Sequence, residues 1–167
     1  MNRIYLIIGL ILLLFFQVFV LNNINFLGYI NPYLYVLFVF VFPVNKNRFP
    51  LLFLAFLYGL LVDLFSDSGG IHAFSLLFVA YIRILFIKAV FQKSDTDLSI
   101  FKLKSEPFGK VFNYVVILTV IHHFILFSLA NFSFQNFSGV LLNTLFSSVF
   151  TLILYFFGTF IFSRKPQ

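Results

Sequence analysis

The sequence has no cysteine and no tryptophan, and only one methionine. Without cysteine there is no disulfide framework, no thiolate metal site and no thiol nucleophile. Charge is scarce too, with eleven Lys and Arg and five Asp and Glu in 167 residues. A soluble domain of this size must cover its surface with polar side chains. At 10% charged against 62% hydrophobic this chain cannot do so. What it has instead is phenylalanine, 29 of them, set in long unbroken apolar runs. Unbroken runs exclude an outer-membrane barrel, whose strands alternate apolar and polar positions. The chain reads as an all-α polytopic membrane protein forming a single domain over 1–167.

A helix needs roughly 20 apolar residues to cross about 30 Å of hydrocarbon. Six stretches qualify or nearly so: 4–21, 27–44, 50–65, 71–87, 111–130 and 140–162. The second and third are short enough to be half-spans or re-entrant pieces. Taken strictly, the second begins only at Tyr33, after Asn31-Pro32. Basic residues arbitrate, because cytoplasmic loops collect Lys and Arg. Arg3, Lys46, Arg48, the five lysines of the 88–110 connection, Arg164 and Lys165 fall on one side of a six-span map. Loops 22–32, 63–70 and 131–138 contain none. Six transmembrane helices with both termini cytoplasmic satisfy this pattern, and 88–110 becomes a cytoplasmic loop with an interfacial turn near Leu98–Leu103. It is either a simple connector or a docking surface. The Met-Asn-Arg start fits a signal-peptide n-region, yet the following apolar stretch is too long and lacks a small-residue cleavage site. Topology and anionic lipid explain the net charge of +6 with no need for nucleic acid.

Polar side chains in such spans usually face other helices or a cavity. His72, Ser75, Val79 and Arg83 fall within about 80° of one another at helical period, and Tyr81 points the opposite way. Thr119, His122 and His123 repeat the theme. Thr144, Ser147, Ser148, Thr151, Tyr155, Gly158 and Thr159 share a face whose small residues suit close helix packing. A ligand cavity is the other reading of that face. Asp63 ends the third span, four residues after Gly59. It sits either at the helix end, in water or accepting backbone hydrogen bonds in the turn from Ser66 to Gly70, or buried beneath the outer helix ends, holding a neighbour or partner. Gly69-Gly70 supplies a turn, and Ser68 or Asp67 is placed to cap the fourth helix. Arg83 lies roughly 18 Å deeper than Asp63, too far for an ion pair. It is expected to snorkel to the headgroups or to bond within the bundle, and His72 is the nearer partner for Asp63 or Asp67.

Catalytic signatures are missing. Asp63 and Asp67 lie one turn apart in one segment, so they do not form the two converging carboxylates of an intramembrane aspartyl protease. There is no His-Glu-x-x-His spacing for zinc, no glycine-rich phosphate loop and no Asp-rich phosphotransferase signature. The expectation is a protein that is not an enzyme and holds no cofactor or metal.

The segment Tyr58–Arg83, YGLLVDLFSDSGGIHAFSLLFVAYIR, resembles the signature region of the MreD family of bacterial rod-shape-determining membrane proteins. The matching residues are Gly59, Asp63, a Ser/Gly turn, Gly70, His72-Ala73 and Tyr81, and chain length and span count agree along the rest. In place of the proline common in that turn stands Ser68-Gly69-Gly70. The resemblance implies a non-enzymatic inner-membrane subunit of the cell-elongation complex. Its implied partners are an MreC-like bitopic protein, a RodA-type glycosyltransferase with its transpeptidase and, indirectly, the MreB filament. It also implies a bundle similar to the substrate-binding subunits of energy-coupling-factor transporters. That kinship supplies the alternative, a vitamin-type binding subunit of a transporter. Gly59, Asp63, Gly70, His72, Tyr81 and Arg83 are the residues through which such a protein would organise its outer half or meet partners.

Overall fold

Apolar runs of this length form helices because a lipid-facing backbone has no water to bond to and must satisfy itself internally. The computed structural model describes residues 3–163 apart from 27, 29, 45, 46, 95, 100 and 133–135, and not the side chains of 3, 4, 6, 99, 162 and 163. Among the described residues six α-helices follow in order: α1 (Arg3–Phe19), α2 (Leu37–Val41), α3 (Phe49–Ser66), α4 (Ile71–Phe91), α5 (Phe108–Asn131) and α6 (Phe137–Ser163). Four of them, α3 to α6, are long and apolar enough to cross a membrane. The chain is an all-helical membrane protein. Lys46, Arg164, Lys165 and the Arg3 side chain, on which part of the orientation argument rests, lie outside the described residues.

The second segment departs from the expected helix over 27–44. Among the described residues of that segment only a 3-10 turn, Leu34–Val36, and the five residues of α2 are helical. Proline explains both limits. Pro43 forces the residue before it out of helical geometry, and Phe42 is extended at φ −61°, ψ 135°. Pro32 lies just ahead of the turn. Irregular backbone at membrane depth is tolerated only where protein surrounds it. Pro32 to Val36 and Phe38 to Phe40 are accordingly buried. The segment is a central strut, wrapped by the long helices.

The remaining helices pair in antiparallel fashion, α3 with α4, α4 with α5 and α5 with α6. Two expected boundaries move: α4 continues past 87 to Phe91, and α5 begins at Phe108. Pro50 sits in the first turn of α3, where its missing N–H costs nothing. The 92–107 connection holds two short 3-10 turns, Asp97–Ser99 and Leu103–Ser105, and Leu98 is buried beneath it. Asp97 accepts from the Ser94 N–H and hydroxyl, which hold its carboxyl below the usual range, and Lys93 pairs with Glu106 at 2.9 Å. This connector is docked onto the bundle through Leu98 rather than simply solvated.

Polarity runs inside out. Phe15, Phe53, Phe74, Leu142 and Phe157 face outward. Gln17, Asp63, Arg83, Thr119 and Ser147 are buried. That is the distribution expected where the solvent is hydrocarbon.

Candidate functional site

Two features lock α3 to α4. At Gly59 the helices approach so closely that a Cβ would stand 2.5 Å from the Ala73 Cα and 2.8 Å from the His72 carbonyl oxygen. Only hydrogen fits. One turn further along, Asp63 turns its carboxylate onto the start of α4. Its Oδ1 accepts from the His72 N–H at 3.0 Å, and its Oδ2 from the Ala73 N–H at 2.8 Å. The Ser68 hydroxyl donates to Oδ1 at 2.6 Å. Those amides belong to the first turn of α4, where a helix leaves its donors free and carries its positive end. Gly70, at φ +98°, supplies the left-handed approach to that turn but no side chain. The cap therefore comes from the neighbouring helix.

This geometry resolves several expectations. Asp63 is 4% exposed, hence buried rather than in water, whereas Asp67 is exposed. Neither Ser68 nor Asp67 caps α4. His72 meets Asp63 through its backbone, and its ring is engaged elsewhere.

The His72 Nδ1 lies 2.9 Å from the Tyr35 hydroxyl, and the His122 Nε2 lies 2.7 Å from the same oxygen. The Tyr35 N–H donates to Gln17 Oε1 at 3.2 Å, and the Gln17 amide donates to Pro32 O and to Asn22 Oδ1. Asn22 in turn donates to the Ser66 hydroxyl at 2.7 Å. Next to this, His123 places Nδ1 2.8 Å from Thr119 O and Nε2 3.1 Å from Thr151 Oγ1. Thr151 also accepts the Tyr33 N–H at 2.9 Å. The Tyr33 ring packs on both His72 and His123, with centroids 5.5 and 5.4 Å apart. One polar cluster thus joins α1, the central strut, α4, α5 and α6, and reaches the end of α3 through Asn22 and Ser66.

The inward stripe of α4 stands as expected, with His72, Ser75, Val79 and Arg83 all buried and Tyr81 62% exposed on the opposite face. Thr119, His122, His123, Thr144, Ser147, Ser148 and Thr151 are buried too. On α6 the stripe fades beyond Thr151, and Thr159 is exposed. Arg83 does not snorkel. It is 2% exposed, donating from Nη2 to Phe42 O at 2.6 Å and from Nε to the Tyr114 hydroxyl at 3.2 Å. The expected separation from Asp63 holds, since each has its own partners, Asp63 at the start of α4 and Arg83 about three turns further along it. Gly59, Asp63, Gly70 and His72 thus come together, while Arg83 and Tyr81 stand apart.

Gln17, Tyr33 and Tyr35 complete the cluster without having been singled out. The signal available for the tyrosines was their position just after Asn31-Pro32, in a segment too short to be an ordinary span. Among the described residues no three His, Cys, Asp or Glu side chains are grouped to hold a metal. The aromatic side chains that converge here fill the space with one another: Tyr35 stands 5.4 Å from His72 and 5.1 Å from His122, ring to ring. Compared with family models, curated proteins and solved structures, the chain matches none.

Proposed function

We propose that the chain is an MreD-type, non-enzymatic membrane subunit that scaffolds peptidoglycan synthesis in the bacterial inner membrane through an MreC-like partner. The observation that carries this reading is the α3–α4 hairpin. The residues of the resemblance, Gly59, Asp63, Gly70 and His72-Ala73, act as one device in which close approach and a shared cap fix one helix against the other. Such a device makes a rigid hairpin end without any reactive group, as a docking subunit requires. In this reading the chain crosses six times, the central strut making the second passage. The Asp63 end faces outward, because the loops at that end lack Lys and Arg.

The test is recovery of the partner. A tagged chain co-expressed with an MreC-like protein should retain it on purification, and both Asp63→Asn and Gly70→Leu should retain less while remaining monodisperse. Undiminished recovery with both variants refutes the proposal.

A further inference from the structure

We infer that the end of the bundle opposite the Asp63 hairpin holds a site for the phosphate of an anionic membrane lipid, with Arg83 in its wall and Arg48 at its mouth. This rests on the membrane setting alone and not on the MreC partnership.

Charge is the first ground. A buried cation needs a counter-charge. Arg83 has two neutral partners, a carbonyl and a phenol, and its Nη1 has no partner among the described residues. The described carboxylates are engaged elsewhere or distant. Asp63 caps α4 about 16 Å away along that helix, Asp67 lies in the same far turn, Asp97 is held by Ser94, and Glu106 pairs with Lys93.

Shape is the second. Arg83 lines a recess of about 250 Å³, mouth included, together with Phe42, Asn47, Arg48 and Leu51. It has room for about one water-sized group, so a phosphate would enter by a single oxygen with the rest of the headgroup outside. The recess also adjoins the N-terminus of the 18-residue α3. Leu51, which lines the recess, lies in the first turn, where a helix leaves amides without an internal partner at the positive end of its dipole.

The apolar outer surface of the bundle favours a lipid over free phosphate. Directly beyond Arg48, Phe49 and Phe53 stack with centroids 5.9 Å apart and are 69% and 51% exposed. A lipid held by its phosphate would keep its acyl chains against apolar surface of this kind, whereas inorganic phosphate has no use for it.

Native mass spectrometry of the detergent-purified chain, titrated with phosphatidylglycerol, phosphatidylcholine or inorganic phosphate, tests this. Phosphatidylglycerol should be retained in preference to phosphatidylcholine. Arg48→Gln should lower its occupancy about fivefold. Arg83→Lys, which keeps the charge but loses the fork, should lower it as well, and the Lys102→Gln/Lys104→Gln pair should leave it unchanged. If Arg83→Lys fails to fold, Arg48→Gln and Asn47→Ala, both at exposed positions, decide alone. Retention unchanged by these variants overturns the site. Displacement of phosphatidylglycerol by an equal concentration of inorganic phosphate overturns its assignment to lipid.

Discussion

A carboxylate that caps its own helix acts on that helix alone, whereas Asp63 reaches from α3 to two amides of α4, so the same hydrogen bonds close a hairpin and satisfy a helix end. Asp63→Asn would keep one oxygen for the His72 N–H and the Ser68 hydroxyl and turn its own N–H₂ toward the Ala73 N–H. A loss of about 1–3 kcal/mol is expected, read as a lowered thermal midpoint of the purified protein. Asp67→Asn is the matching control. Asp67 is exposed at φ +49°, a conformation asparagine also tolerates, and a change within about 0.5 kcal/mol is expected. Equal effects at both positions would refute the cap. At this scale the inward stripe from His72 to Arg83 was legible because one helical period determines it. The Arg83 acceptor was not, because a backbone carbonyl leaves no mark in a sequence.

The element that departs most from expectation is the segment around α2. Its apolar composition resembles that of a span, and composition cannot report that Pro43 ends the helix after eight helical residues. The break has a use, since the extended Phe42 frees the carbonyl that Arg83 takes. At its other end the strut is pinned by Tyr35, and those two contacts lie three turns apart on α4. Tyr35→Phe removes the shared hydroxyl and strands two imidazole nitrogens. It should destabilise the protein by about 1–3 kcal/mol, with faster hydrogen exchange concentrated in 31–41. Exchange raised evenly over the whole chain would show that Tyr35 does not anchor this element in particular.

For the whole molecule, the class was legible from composition, because a chain with so little charge has one available solvent. Orientation is an expectation drawn from a pattern of loops, and it depends on segments counted correctly. The absence of cysteine makes it measurable without background. Single substitutions Asp67→Cys and Ser105→Cys, both at exposed positions, should react with an impermeant maleimide in intact cells at 67 only, and at 105 only after lysis. Labelling of both in intact cells would overturn the six-passage arrangement. The polar centre of the bundle was not legible, since its members come from separate elements whose contacts only packing decides. That centre has a further property. The Tyr35 hydroxyl owns one proton and stands between His72 Nδ1 and His122 Nε2, so it donates to one nitrogen and accepts from the other. As neutral rings, the two imidazoles must therefore share a tautomer, both protonated at Nδ1 or both at Nε2. The His122 Nδ1 is buried without a partner among the described residues, and an unpaired buried N–H is less tolerable than a bare nitrogen. Both rings are thereby biased to the Nε2–H form, and a single phenolic rotor couples the protonation pattern of α4 to that of α5.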